Sequence, residues 1–277
     1  MSTAVLTRHA DAICPEQPWF VLNAARHYAL IASRHPAISH FYSFEVAPEA
    51  ALTLAIPDGC VDIVFDCDSA RPLARACGST LSVRNAALLA GHRYFGVRFA
   101  PGVMPDFLDV MAEELTDHAF NVFEVMPDAR AACEQILRTP QFCQQVALFN
   151  QHFSARLMRR MSPATAAAVR ALLQQQGNLR VDQLEALTGY TCRTLQRLFR
   201  HDTGLTPKAF GRIIRCQAAL NRLHAPVRCS FTDLALELGF SDQSHFLREF
   251  KTLVSMTPLE FCRRATDADW ATRLSMH

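Results

Sequence analysis

Between residues 38 and 100 the apolar side chains fall in short runs separated by turn residues. Phe41, Tyr42, Phe44 and Val46 are followed by Leu52, Leu54 and Ile56, then by Val61, Ile63, Val64 and Phe65, and finally by Phe95, Val97 and Phe99. Runs this short, rich in aromatic and β-branched residues, predict strands. Pro57-Asp58-Gly59 and Ser69-Ala70-Arg71-Pro72 punctuate them as turns. From Pro105 the rhythm changes, because Phe107, Leu108, Met111 and Leu115 recur close to the ~3.6-residue period of a helix. Further helices are predicted over 129–138 and 142–161, separated by Thr139-Pro140. Ser162-Pro163 opens another, since Ser is a good N-cap and Pro suits the first helical position. That helix runs through Val169, Leu172 and Leu173 to a turn at Gly177-Asn178, and the chain beyond it is almost wholly helical.

The helical part contains an internal repeat. Gly189-Tyr190-Thr191, followed by Arg193, Leu195, Gln196, Leu198 and Phe199, is echoed by Gly239-Phe240-Ser241, followed by Gln243, Ser244, Phe246, Leu247, Arg248 and Phe250. Leu205-Thr206-Pro207 with Phe210 is echoed by Met256-Thr257-Pro258 with Phe261. The offset grows by one residue within the unit. Each copy has the parts of a helix-turn-helix. Val181, Leu184 and Leu187 in the first, and Phe231, Leu234, Ala235 and Leu238 in the second, form the apolar stripe of a supporting helix. Gly189 and Gly239 end those helices as left-handed caps. Thr191 and Ser241 are the expected caps of the following helices, leaving amides turned outward for a phosphate.

The second helix of each copy separates its faces. In the first, Leu195, Leu198 and Phe199 face inward, while Arg193, Gln196, Arg197 and Arg200 share the opposite side. Arg engages guanine and Gln engages adenine in bidentate fashion, which is the chemistry of major-groove readout. In the second, Phe246, Leu247, Phe250 and Leu253 face inward and Ser244, Arg248 and Lys251 outward, with Gln243 near the start. Asp242 and Glu249 dilute its charge, so this copy is expected to bind phosphate less strongly. His245 sits at the boundary between the faces. A helix over 207–224, stopped by Ala225-Pro226, spans roughly 27 Å and joins the two. Adjacent major grooves on one face of DNA lie ~34 Å apart, so one chain can reach both, with some bending of the duplex.

Charge supports the same division. Residues 1–153 carry a net −6 and residues 154–277 a net +8, although the whole chain of 277 residues is only +2. A basic half favours a polyanion through counterion release; an acidic half does not. The longest apolar stretch, residues 50–65, is broken by Pro57-Asp58-Gly59, and the first residues include Arg8, His9 and Asp11 rather than an export signal. The expectation is a cytoplasmic protein without a membrane partner. Its ten cysteines are scattered, without a CxxC pair, and are expected to be reduced.

Residues 163–264 resemble the DNA-binding domain of AraC/XylS-type transcription regulators. The resemblance rests on Leu184-Glu185-Ala186-Leu187, Gly189-Tyr190-Thr191, the run from Arg193 to Phe199, Thr203-Gly204-Leu205-Thr206-Pro207, Leu234-Ala235, Leu238-Gly239-Phe240-Ser241, Phe246, Phe250-Lys251 and Met256-Thr257-Pro258. It implies base-reading roles for Arg193, Gln196, Arg197, Gln243, Ser244 and Arg248, two-groove binding, and an activator more often than a repressor. Phosphate contacts are expected at Thr191, Arg200, Lys208, Arg212, Ser241 and Lys251. The chain departs from the family at Ser255, where glycine is usual, and at Cys262, where arginine often stands. Residues 56–63 and 96–102 are similar, more loosely, to a sensor-like domain found upstream of some such regulators.

The expected fold is therefore α+β in two domains: residues 1–153 a β-rich sensor or oligomerisation domain with a helical flank, residues 154–162 a linker, residues 163–264 an all-α domain with two helix-turn-helix units on a linker helix, and residues 265–277 a tail. The expected partners are double-stranded DNA, RNA polymerase and a small-molecule effector; a homodimer stays open. No cofactor is expected. In the N-terminal half, Arg98 is a candidate for holding an acidic effector or else for pairing with Asp62 or Asp66 on the surface, and Cys60 is a second candidate. Pro57-Asp58-Gly59-Cys60 reads foremost as a turn. Cys60, Cys67 and Cys77 admit a thiol- or metal-responsive alternative, though their spacing is not that of a zinc site. A DNA-repair enzyme fused to the reader is a further alternative; the chain has no Pro-Cys-His nucleophile, HExxH, GxSxG or nucleotide-binding glycine loop, and is read as non-enzymatic. An architectural DNA protein is the third, against which the separate acidic, β-rich half argues.

Overall fold

The computed structural model describes residues 13–50, 52–68, 73–224, 230–266 and 274–276. The turn expected at Ser69-Ala70-Arg71-Pro72 and the stop at Ala225-Pro226 lie outside the described residues. The architecture is α+β, a β-rich N-terminal part followed by a helical C-terminal one.

After a short helix α1 (Pro18–Leu22), the N-terminal part contains β1 (Ala24–Ala32), β2 (Ile38–Val46), β3 (Leu54–Ala55), β4 (Asp62–Asp66), β5 (Leu73–Cys77), β6 (Arg84–Asn85) and β7 (Arg93–Phe99), then α2 (Ala112–Leu115), β8 (Ala119–Asn121), α3 (Val122–Val125), α4 (Arg130–Arg138) and α5 (Phe142–Phe153). A seven-stranded sheet has the order β8-β5-β4-β7-β2-β1-β9, where β9 (Leu274–Met276) comes from the far end of the chain; β3 and β6 form a separate two-stranded ladder. All pairings are antiparallel except that of β1 with β9. Part of the segment expected as a tail thus closes one edge of the sheet.

Both faces of the sheet are covered, which is why β2 and β7 read as nearly continuous apolar runs rather than as an alternation. Phe41, Ile63, Phe65, Phe95 and Val97 pack against Cys133, Ile136, Phe149 and Phe153 of α4 and α5. Tyr28, Tyr42, Phe44, Val64 and Tyr94 on the other face join Phe20 and, from the C-terminal part, Cys216, Leu220, Phe250 and Phe261 in one core.

The structure corrects several expectations. Residues 105–111 are not helical, and α2 is only the last turn of the segment read that way. Their apolar spacing reflects packing instead: Phe107 meets Phe153 and Phe149 at ring-centroid distances of 4.9 and 6.1 Å. Backbone partners come from distant segments, with Asp106 N–H donating to Arg156 O and Asp109 N–H to Val125 O. The helix expected over 142–161 ends at Phe153, followed by a 3-10 turn, Ser154–Arg156. The strand expected through Leu52, Leu54 and Ile56 shrinks to β3, and Leu52 is exposed. Strands β1 and β5 were not anticipated, because Arg26, His27, Arg75 and the alanines around them mask an apolar pattern.

The C-terminal part consists of α6 (Pro163–Gln174), α7 (Val181–Thr188), α8 (Cys192–Thr203), α9 (Pro207–Leu223), α10 (Phe231–Glu237), α11 (Gln243–Val254) and α12 (Pro258–Thr266). Ser162 caps α6 by accepting from Thr165 N–H, with Pro163 in the first turn, as expected. Leu172, Leu184, Leu195, Phe199, Phe210 and Ile214 form a core of the first repeat.

Candidate nucleic-acid interface

Helices α7 and α8, and α10 and α11, form two helix-turn-helix units. Gly189 and Gly239 have φ of +72° and +74°, in the left-handed region where glycine avoids the Cβ penalty, so the turns expected at both positions are present. On α8, Leu195 and Phe199 are buried and Leu198 half-buried, whereas Arg193, Gln196, Arg197 and Arg200 are all exposed. Among the described residues Arg193, Arg197 and Arg200 have no ion pair, so three guanidinium groups stand on one helix face without an internal counter-charge. That face carries exposed positive charge.

On α11, Phe246, Phe250 and Leu253 are buried, and Ser244, Arg248 and Lys251 are exposed. Gln243 is half-buried and its Oε1 accepts from Thr232 Oγ1 at 2.8 Å. Glu249 is bound by Arg212 of α9, whose Nη2 donates to Glu249 Oε1 at 3.2 Å and whose Nε also donates to that carboxylate. Lys208, one turn earlier on α9, is exposed.

The helix N-termini differ from expectation. Thr191 caps α8 as predicted, accepting from Thr194 N–H, but the Cys192 amide is also taken, by the Glu185 carboxylate. The cap of α11 is Asp242, not Ser241; Asp242 Oδ1 accepts from His245 N–H at 2.7 Å, and Ser241 Oγ bonds to Asp242 Oδ2. The one-residue growth of the repeat offset falls here and moves the cap one position along. A carboxylate at each N-terminus suits the helix dipole but repels phosphate, so the amides are not the open anion sites expected. Leu187 is also exposed rather than in the stripe, since α7 buries only Leu184.

The two units are fastened together by a residue the sequence reading missed. Arg215 of α9 donates from Nη2 to Gly177 O at 3.0 Å and from Nη1 to Gly239 O at 3.2 Å, while its guanidinium lies over Phe240, 5.3 Å from the ring centroid. It links the turn after α6 to the turn of the second unit. Its signal in the sequence was an arginine amid the apolar stripe of α9.

The N-terminal part meets each reader away from its exposed face. A Cβ on Gly204, just past α8, would lie 2.1 Å from Thr116 Oγ1 and 2.4 Å from Ala112 O, so α2 sits directly on the end of α8. Trp19 Nε1 donates to Val254 O at the end of α11 at 2.9 Å, with Arg264 over the indole. Between them, buried Gln217 of α9 donates to Pro57 O at 2.9 Å, and its Oε1 accepts from Glu16 N–H at 2.8 Å. Asn221 accepts from Cys14 N–H at 2.9 Å one turn later.

Arg98 is neither on the surface nor paired with Asp66, which instead binds His92 and Tyr94. It is 1% exposed, donates from Nη2 and Nε to Asp62 at 2.6 and 3.0 Å, and has Asp58 3.5 Å away. Burial works against its charge, but the Asp62 and Asp58 carboxylates outweigh burial and hold it firmly protonated. Burial raises the Asp62 carboxyl to about 6, against the lowering effect of Arg98. Arg98, Asp58, Asp62 and Cys60 line a cavity of about 190 Å³. Pro57-Asp58-Gly59 is a turn, with Gly59 at φ +76°, yet Asp58 is also part of this buried cluster. Burial pushes the Cys60 thiol well above its ordinary value and that of Cys77 up to about 11, the reverse of a reactive thiolate. Among the described residues no group of three or more His, Cys, Asp or Glu is placed to hold a metal ion, and no helix is long and apolar enough to cross a membrane.

Known proteins match parts of this chain in sequence. A helix-turn-helix domain matches residues 184–264, and a domain of unknown function, DUF6597, matches residues 35–121. The probable transcription factor PqrA of Proteus vulgaris is 33% identical over 97 residues, which are 35% of this chain and 79% of that protein. An uncharacterized HTH-type transcriptional regulator of Haemophilus influenzae is 30% identical over 95 residues, 34% of this chain but only 32% of its own length. Among solved structures, a probable AraC family transcriptional regulator from Rhodopseudomonas palustris CGA009 is 29% identical, with 38% of this chain and 98% of that chain covered and a TM-score of 0.34.

Proposed function

This chain belongs to the AraC family of helix-turn-helix transcription regulators, and we propose that it binds promoter DNA sequence-specifically, with α8 and α11 in adjacent major grooves. The observation that carries the proposal is the face of α8, where Arg193, Gln196, Arg197 and Arg200 are exposed together and, among the described residues, the arginines have no ion pair. Arg193, Gln196 and Arg197 read bases on α8; Gln243, Ser244 and Arg248 read them on α11. Arg200, Lys208 and Lys251 meet the phosphates, while the charge of Arg212 is shared with Glu249 and the hydroxyls of Thr191 and Ser241 stay with the helix caps. The 17 residues of α9 span about 26 Å, short of the ~34 Å between grooves, so the two units approach both grooves of a bent duplex.

The reader so placed acts as an activator that recruits RNA polymerase. It works beside the chromosome in the cytoplasm, without catalysis of its own. The domain before residue 154 takes a small-molecule signal, and its grip on α8, α9 and α11 is what supports control of the readers. Genome-wide footprinting of bound sites tests the proposal: discrete promoter sites with two half-sites about one helical turn apart support it, and coverage without sequence preference overturns it.

A further inference from the structure

Helix α9 belongs to two cores in turn. Phe210, Ile213 and Ile214 pack with Leu172, Leu184, Leu195 and Phe199 in the first unit, whereas Cys216, Ala219 and Leu220 pack with Leu234, Leu238, Phe246 and Phe250 in the second. Arg215 stands at the changeover. Beside the helix the units are parted by a groove of about 760 Å³, lined by Leu179 and Leu184 from the first and by Phe240 and Leu253 from the second. Two units docked on successive stretches of one helix, with open space between them, rock about the changeover unless something ties them across the groove.

Arg215 supplies that tie. Its Nη2 donates to Gly177 O of the first unit and its Nη1 to Gly239 O of the second, and Phe240 supports the guanidinium from the turn of the second unit. A guanidinium is a planar fork with fixed N–H directions, so carbonyls at its two tips are held at one separation and one angle. The units also touch at this place. A Cβ on Gly239 would lie 2.1 Å from Asn178 Oδ1, so a side chain of the first unit fills the space beside the turn of the second. Arg212 reaches Glu249 as well, but both side chains are partly exposed, and such pairs hold geometry weakly.

We propose that the junction of Arg215 and Asn178 sets the spacing between the two half-sites that this protein recognises. This rests on the reading that α8 and α11 enter adjacent major grooves, and it names what fixes their distance and phase. One base pair inserted between half-sites moves the second by about 3.4 Å along the duplex and turns it by roughly 35°. Readers locked at Arg215 fit one such arrangement, and any other must be met by distorting the DNA. Readers released at Arg215 hinge at the changeover and follow the shifted half-site. Arg215 is half-buried on α9, away from the exposed faces of α8 and α11, so it is a positioning residue that reads no base itself.

A spacing series on the full chain tests this. Two half-sites taken from a genomic footprint are placed at their native separation and with one or two base pairs added or removed, and affinity is read by fluorescence anisotropy. The wild type should prefer the native separation by about tenfold or more over a one-base-pair change, in the range of a lost base contact. Arg215→Lys keeps the charge but not the two-tipped bridge, and the preference should shrink to about threefold or less, below the cost of one mismatched pair. If Arg215→Lys does not fold, Asn178→Ala takes its place, since it removes the contact on Gly239 and leaves Arg215 intact. A preference unchanged in the deciding variant, or binding weakened equally at every spacing, overturns the role of the junction. A wild type that binds every spacing equally, yet prefers the half-sites to random duplex, removes this inference only. A wild type that does not tell the half-sites from random duplex removes the proposed function itself.

Discussion

Arg212 of the linker helix holds the Glu249 carboxylate of the second reading helix, with Nη2 donating to Oε1 at 3.2 Å. The pair couples the strut to the reader it positions and removes one negative charge from a face that must approach DNA. Both side chains remain partly exposed, so the link is readily exchanged for a phosphate. Glu249→Gln is expected to release Arg212 and raise affinity a few-fold on specific and random DNA alike. The salt dependence should steepen by about one counterion. Fluorescence anisotropy across a salt series checks this; an unchanged slope means that Arg212 never reaches the backbone.

Ser255 ends α11 with φ +63°, where the family usually has glycine. A side chain in this region costs roughly 1–2 kcal/mol, part of which glycine gives back through its looser unfolded chain, of order 0.5–1 kcal/mol. Ser255→Gly should therefore stabilise the protein by up to about 1 kcal/mol. Denaturant unfolding measures it, and a destabilised variant contradicts the account of the cap.

Gln217 is fully buried and satisfies both Pro57 O and Glu16 N–H across the boundary between the two parts. Gln217→Leu keeps the bulk and strands both backbone groups, at a cost of about 1–3 kcal/mol. Equilibrium unfolding should show this loss. No loss would mean that the contact contributes nothing to the grip on α9.

Asp62 supplies a pH dependence. Its carboxyl is raised to about 6 by burial, against Arg98, with Asp58 close by adding to the rise. Between the ordinary ~3.9 and 6 the folded chain holds more protons than the unfolded one, so this group's contribution to stability falls as pH rises through that window and is level above it. Asp62→Asn should lack that fall. Tm measured at pH 4.5 and 7 for both proteins tests it: the wild type should lose more relative to Asp62→Asn at pH 7 than at pH 4.5, and a constant gap contradicts it.

The reading units were legible in the sequence because each is local. Gly189, Gly239 and the spacing of Leu195, Phe199, Phe246 and Phe250 state the turn and the buried face within a dozen residues. What crosses between distant segments was not legible. Asp62 was one of two expected partners of Arg98, but nothing between Val97 and Phe99 says that the pair is buried or that Asp58 joins it. Gln217 looks like one more polar position on a helix until Pro57 is brought beside it. The false helix at Phe107 and Leu108 shows the converse, in which long-range packing on Phe149 and Phe153 imitates a helical period. The cap of α11 was missed by one position because Ser241 and Asp242 are both good caps, and only the fold decides between them.

The central claim is that the arginine face of α8 reads bases. On a site selected from genomic footprints and on random duplex of equal length, Arg197→Ala should weaken specific binding by about 1–3 kcal/mol, relax preference at a single base pair, and leave random binding nearly unchanged. An equal loss on both duplexes would contradict it, reducing that face to a sequence-blind contact with the phosphate backbone.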